Sequence, residues 1–411
     1  MKKLFRKLAA AAALSSMLLQ VFASIALAET IEISGNGADS ENDAMVNTTK
    51  QTTVVQNNTA EIFNDIEAEA ETGENEANDN TGGDTLIMTG NATTSVDVAT
   101  RVNLNAIEDR VETQRDDTSI LISGNGADSD NDVDLNSLEE TEIFQDNFAY
   151  IENDIEAEAE TGENEANRNT GGETAVITGH ATTEVEVSNV ANANLVDLRG
   201  PTNGTVPTYD IRIVGNGANS RTNVDVNRQK FLTIVQDNFA DIFNYVEVEA
   251  ETGENEANDN TGGDVMIDTG MAQASATVEN WANLNVATTN GWLPEVLAKI
   301  YGNGALSRND VDVCFLDEVA VFQGDDGESG NVLFLENDVD NEPESGDNEA
   351  NRNTYGEGDP LVITGHALSD VLVRNTANAN YYGTRPAMDW FDNFELNFSF
   401  NLGGLVGRLL R

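Results

Sequence analysis

The residues Ile66-Glu67-Ala68-Glu69-Ala70-Glu71-Thr72-Gly73-Glu74-Asn75-Glu76-Ala77-Asn78 carry two signals side by side. The first six alternate a small apolar side chain with a carboxylate. A period of two is the pattern of a strand with one face packed and one face in water. Gly73 and Asn75 follow at once, and these residue types suit the positive-φ positions of a tight turn. Val96-Asp97-Val98 and Val185-Glu186-Val187 repeat the alternation elsewhere.

The same stretch returns along the chain. Gly-Glu-Asn-Glu-Ala-Asn starts at Gly73, Gly162 and Gly253, and weakens to Gly-Asp-Asn-Glu-Ala-Asn at Gly346. Gly-Asn-Gly-Ala starts at Gly35, Gly124, Gly215 and Gly302, at spacings of 89, 91 and 87 residues. Thr-Gly-x-Ala closes each copy at Gly90, Gly179, Gly270 and Gly365. The chain therefore holds four tandem β-forming copies of roughly 90 residues. The repeats divide it into 29–118, 119–210, 211–297 and a degenerate 298–388, with 389–411 as a distinct tail.

Within a copy, Ala38, Ala60, Ala77 and Ala92 follow turn-like Gly or Asn residues at steps of 22, 17 and 15. Read as four strand–turn units per copy, this rhythm predicts an all-β solenoid of roughly 16 rungs, each covered only by the next. At about 4.8 Å per rung such a rod is on the order of 75 Å long. Asn64, Asn153, Asn244 and Asn337 fall on the inward face, where amides can bond along the stack as ladders. The alternative is four β-sandwich beads, since a copy also has immunoglobulin-like length. The scarcity of aromatics and the thin Glu-Ala strands speak against it.

The termini differ from the repeats. Lys2, Lys3, Arg6 and Lys7 precede an apolar run from Leu8 to about Val21, then Ala26-Leu27-Ala28. This is the plan of a signal peptide cleaved after Ala28, so the chain is expected to be secreted or held at the cell surface, with no membrane span after cleavage. At the other end Phe394, Leu396, Phe398, Phe400 and Leu402 alternate with polar residues, as expected of a cap or docking strand. The net charge is −52, with 73 acidic residues against 21 basic ones. Such a charge disfavours nucleic acid and anionic lipid as partners and favours cations. Cys314 is the one cysteine, so disulfides do not hold the fold together.

Catalytic chemistry is hard to place on this chain. His180 and His366 share one slot of the Thr-Gly-x-Ala turn, where the other copies have Asn91 and Met271, so they are expected to be turn residues. No nucleophile elbow, phosphate loop or Cys/His zinc set is present, and no enzyme activity or resident cofactor is expected. Calcium is the candidate ion. Asp128, Asp130, Asp132 and Asp134 have the oxygen density a hard cation needs. The equivalent segments Asp39–Ala44 and Asn219–Asp225 do not preserve that density. Variable segments 106–118, 195–210 and 286–300 are expected to leave one edge as loops, with Trp292 as a candidate ligand contact. If copies of one strand recur only every fourth rung, about 19 Å apart, the Glu67-Glu69-Glu71 acids form separate bands, each screened from the next. One position alternates in sign, Asp79, Arg168, Asp259, Arg352, and offers pairing between copies.

Gln145-Asp146-Asn147-Phe148-Ala149, Gln236-Asp237-Asn238-Phe239-Ala240 and Gly73-Glu74-Asn75-Glu76-Ala77 resemble the curlin repeat, Gln-x-Gly-x-x-Asn-x-Ala. The resemblance is confined to short turn motifs, and the chain departs from the pattern in its Gly-Asn spacing, its missing paired Gln columns and its acid load. It implies a β-solenoid subunit that assembles into extracellular fibres. The functional expectation is a structural or adhesive rod that self-associates or meets a cell-surface partner. A calcium-dependent adhesin that reads glycan or protein through its edge loops is the alternative.

Overall fold

The first copy runs through β1 (Glu29–Ser34), β2 (Glu41–Glu71), β3 (Thr85–Met88) and β4 (Ala92–Glu108) in a computed structural model of the chain. The structure describes residues 29–108, 117–198, 208–289, 294–324, 330–354, 358 and 360–383. The leader, the C-terminal tail and Trp292 lie outside the described residues.

The next copies reproduce these elements in order. The second has β5 (Thr118–Ser123), β6 (Asp130–Glu160), β7 (Thr174–Ile177) and β8 (Ala181–Leu198). The third has β9 (Thr208–Val214), β10 (Arg221–Glu251), β11 (Val265–Asp268) and β12 (Ala272–Thr289). The fourth has β13 (Glu295–Tyr301), a long strand split into β14 (Arg308–Gln323) and β15 (Asn331–Glu344), then β16 (Leu361–Ile363) and β17 (Ala367–Tyr382). Each strand pairs in parallel with its counterpart in the adjacent copy, giving the sheet orders β1-β5-β9-β13, β2-β6-β10-β14, β3-β7-β11-β16 and β4-β8-β12-β17. The register is one-to-one: Ile66 lies on Ile155, which lies on Val246, which lies on Val339.

The fold is therefore an all-β solenoid, and the bead alternative is excluded because the copies share every sheet. The expected rung count is corrected. A whole copy makes one coil, so the stack is four coils high rather than sixteen, and at about 4.8 Å per step it rises only about 14 Å from first strand to last. The 31-residue β2 spans on the order of 100 Å of contour. Ala60 and its partners Ala149 and Ala240 sit inside β2, β6 and β10, not in turns. The Gln-Asp-Asn-Phe-Ala segments are likewise strand. The edge segments are shorter than expected too, since 106–108, 195–198, 286–289 and 295–300 are strand.

Each coil is a flattened two-layer loop. β2 forms one layer; β1 packs against its beginning, and β4 runs back against its remainder. Ile31 and Ile33 meet Val133 and Leu135 in one cluster, whereas Val96 and Val98 meet Ile155, Ala157 and Ala159 in another. Small inward side chains let the two layers approach. Glycine fixes where coils touch backbone to backbone: a Cβ on Gly162 would fall inside van der Waals contact with the Gly253 carbonyl, and one on Gly217 would meet the Gly126–Ala127 backbone. Asp79, Arg168, Asp259 and Arg352 all have φ of 55–60°, a conformation most side chains avoid, and Asn103, Asn192, Asn283 and Asn378 share 55–61° inside the β4-type strands.

The expected asparagine ladder is present. Asn64 Nδ2 donates to Asn153 Oδ1 at 2.6 Å, Asn153 to Asn244 at 2.7 Å, and Asn244 to Asn337 at 2.7 Å. It is cross-linked to the facing strand, with Asn189 Nδ2 donating to Asn244 Oδ1 at 2.9 Å. A glutamine column runs with the opposite polarity: Gln145 donates to Gln56, Gln236 to Gln145 and Gln323 to Gln236, at 2.7, 2.7 and 2.8 Å. Buried amides bonded in this way replace water with partners of equal strength, which makes them tolerable in the core.

Candidate functional site

One-to-one stacking turns each outward residue into a column. Glu67, Glu156, Glu247 and Asp340 lie in register, as do Glu69, Glu158, Glu249 and Glu342, and Glu71, Glu160, Glu251 and Glu344. Carboxylates about 4.8 Å apart along the stack are well inside the Debye length of roughly 8 Å. The expected separate acidic bands are thus corrected to continuous columns, because adjacent copies are one coil apart rather than four.

The middle coils feel this most. Burial, then the charges of Glu163, Glu71 and Glu158, pushes Glu160 up to about 7. Burial, then Glu254, Glu160 and Glu344, pushes Glu251 up to about 8. Glu158 and Glu249 are raised by burial first and by their column neighbours second. One oxygen of Glu160 and one of Glu251 are buried without a hydrogen-bond partner.

Next to the acids on the same outer face runs an aromatic strip. Phe148 stacks on Phe239 with centroids 5.1 Å apart, Phe239 meets Phe334 at 5.8 Å, and Tyr150 lies between Phe63 and Phe243 at 5.4 and 5.9 Å. Phe63 and Phe334 are well exposed. These rings come from different copies and align only through the register, so no local sequence window reveals the strip. The alternation of β2 with its copies did imply that the rings face outward.

Two charge columns alternate in sign. Arg168 donates to both Asp79 oxygens at 2.7 and 3.0 Å, and Arg352 to both of Asp259 at 2.7 and 2.8 Å, as the sequence suggested. The hydrogen bond from each arginine lowers both aspartates; burial opposes it as the second-largest effect, and the arginine's charge adds to the lowering, which prevails. The second column is Lys50, Glu139, Lys230, Asp317. Burial raises Glu139, but Lys230 and Lys50 outweigh it and its carboxyl is lowered overall. Lys50 Nζ lies 3.1 Å from Glu139 Oε1, beside a shallow pocket that also includes Glu29, Tyr209 and Arg228.

The calcium candidates fall on a turn and a strand. Asp128 is an exposed turn residue with φ of 60°, whereas Asp130, Asp132 and Asp134 follow one another along the outer face of β6. A strand spaces such alternate residues about 6.7 Å apart, too far for one cation to gather. Asp132 Oδ1 accepts from Asn223 Nδ2 at 3.1 Å. Among the described residues, no three or more His, Cys, Asp and Glu side chains are grouped so as to hold a metal ion. His180 serves the turn stack: its backbone N–H donates to Asn91 Oδ1 at 3.0 Å and its Nδ1 accepts from the Met271 N–H at 2.8 Å. Cys314 is exposed and unbridged. Among the described residues no helix is long and apolar enough to cross a membrane.

Fold and surface together define a large-coil β-solenoid that displays columns of acids, a diagonal strip of aromatic rings and columns of alternating charge. No protein-family model matches the chain, and comparison with curated proteins and with solved structures found no match.

Proposed function

We propose that the chain is an exported, non-catalytic structural protein, a β-solenoid plate that works at the cell surface through its regular faces. The in-register stack carries this reading: it commits columns of interior asparagines and glutamines to ladders and presents outer residues as repeated columns. A structural or adhesive element needs such a lattice, whereas a catalytic site needs a few groups that converge. The leader and the acid load support export and solubility. The test is fractionation of producing cells with N-terminal sequencing of the product. A chain starting at Glu29 in the surface or medium fraction is expected; a chain that stays in the cytoplasm with Met1 intact would overturn the reading.

A second reading, cation-dependent adhesion, draws on the aromatic strip beside the acid columns. Flat rings suit the apolar faces of sugars, and calcium would serve as a shared counter-ion along the columns. Binding of a glycan panel by the purified chain in millimolar calcium, lost in chelator and lost in Phe239→Ala, is the expected pattern. Binding and melting that ignore both changes would remove it.

A further inference from the structure

We propose that copies of this chain join head to tail, with the fourth coil of one seated on the first coil of the next in the register that joins coils within a chain. The proposal deepens the structural reading and rests on it: it names the partner as a second copy and places the contact on the two end coils.

Among the described residues both ends of the stack are open. β1, β2, β3 and β4 have neighbours on one side only, as do β13, β14, β15, β16 and β17. Open parallel edges of this length are templates for another strand. What identifies a second copy as the occupant is the detail of the two faces.

Glycine is the first such detail. Within the chain Gly73, Gly162 and Gly253 are required because a Cβ there would strike the glycine of the coil above. Gly346 occupies that slot in the last coil, has no positive φ, and would meet nothing within 4 Å if it had a side chain. At the other end Gly126, Gly217 and Gly304 are required by the coil below, as are Gly179, Gly270 and Gly365. Gly37 and Gly90 hold those slots in the first coil, again with no positive φ and with nothing within 4 Å. Among the described residues nothing needs these three glycines. A further coil packed on each end needs all of them.

Charge is the second. The column Asp79, Arg168, Asp259, Arg352 starts negative and ends positive, and Lys50, Glu139, Lys230, Asp317 starts positive and ends negative. Because the number of coils is even, a head-to-tail joint sets Arg352 on Asp79 and Asp317 on Lys50, and both alternations continue. Two first coils or two last coils cannot meet in this register, because one copy would have to be turned over and its coil would then run in the opposite sense. Polarity is the third. In the Asn64 column, and in the Asn75 column where Asn75 Nδ2 donates to Asn164 Oδ1 at 2.9 Å, each amide donates toward the next coil. In these two columns the first coil thus offers oxygens and the last offers N–H groups; the glutamine column from Gln56 to Gln323 has the reverse polarity, and a head-to-tail joint matches donor to acceptor in both kinds.

Two features oppose the joint. Pro343 is paired with Ala250 at the outer edge, and the alternation of the ladder points its missing N–H outward, so a joint is one hydrogen bond short there. The acid columns also continue across it, with Glu344 over Glu71. Joining should therefore strengthen as salt rises from 0.1 to 1 M, where the Debye length falls from about 10 to about 3 Å.

The test is negative-stain microscopy and sedimentation of the purified full chain over a concentration series at both salt levels. Filaments or linear oligomers with an axial repeat of about 19 Å are expected. Gly346→Val and Gly37→Val should melt as the wild type does yet remain monomeric, because their side chains meet nothing until a second copy arrives. Gly346→Val added at one part in ten should cap growing ends, and Pro343→Ala should hasten elongation. Undiminished filaments from both valine variants would overturn the proposal. So would a wild type that stays monomeric throughout, which would assign the edge of the last coil to some other cover, residues 384–411 first. A monomeric chain found at the cell surface sinks the joint and spares the structural reading; a cytoplasmic chain sinks that reading whatever it does in the microscope.

Discussion

The middle coils and the end coils have nearly the same sequence and very different surroundings. Ile155 and Val246 are 1% and 3% exposed, while Ile66 and Val339, in the same column, are only half-buried. The inner face of β6 is buried in alternation except at Ser137, Glu139 and Thr141, whereas that of β2 is mostly intermediate. The two layers of one coil thus shield each side chain from the side, and only a coil above and a coil below finish the burial. Most of the apolar stabilisation, at about 25 cal/mol per Å², therefore belongs to the stacking contacts rather than to any coil alone.

The sharpest way to break this comparison is with one substitution made twice. Gly162→Val forces a side chain into the Gly253 backbone, and a loss of more than about 4 kcal/mol, or failure to fold, is expected in urea melts. Gly90→Val at the lower end should change stability by less than about 0.5 kcal/mol. Equal losses would mean that the end coils are as enclosed as the middle ones.

The asparagines come next. Asn153→Leu removes bonds to Asn64, Asn189 and Asn244 and strands buried amides, a loss of about 3 kcal/mol. Asn64→Leu breaks one such bond at the half-open end and should lose about 1 kcal/mol. Guanidinium unfolding of the two variants separates the cases.

A smaller effect is expected from pH. Glu160 and Glu251 have folded pKa values raised above those of the unfolded chain, so the folded state binds more protons between the two values. Stability should then fall as pH rises from about 4.5 through 7 and 8, and be regained on acidification. Glu251→Gln should raise the melting temperature at pH 8 and flatten its decline. Glu71→Gln, on the exposed first coil, should do less, although Glu74 and then burial raise that group too. A melting temperature that climbs with pH over this window would contradict the raised values. Smallest of all is the exposed Arg168–Asp79 pair, whose removal by Arg168→Met should barely move the melt.

The β class, the copy number, the inward Asn64 column and the Arg168–Asp79 pairing were all legible, because each depends on local alternation or on identity at one spacing. The number of rungs was not. Period-two alternation and Asn-x-Ala motifs are equally compatible with strands that stack on their own copy and with strands that run straight on. The deciding clue lay in the spacings: 22, 17 and 15 within a copy are irregular, but 89, 91 and 87 between copies are nearly constant. Identical residues stack on identical residues when the coil length equals the repeat length. Asn58, for instance, sits mid-strand because Asn147 above accepts its amide at 3.1 Å. The aromatic strip escaped for the same reason, since Phe148, Phe239 and Phe334 are neighbours only through that register.

The amino-acid sequence by itself determined that this protein is a β repeat with small inward residues, an acidic exterior and no disulfide framework, because these follow from the chemistry of each side chain and its nearest neighbours. Only the tertiary structure decided that a copy is one coil, that the acids form columns rather than bands, and that three glycines at the two ends meet nothing among the described residues. Those facts depend on which strand lies about 4.8 Å away, and no short-range preference of the chain encodes that choice.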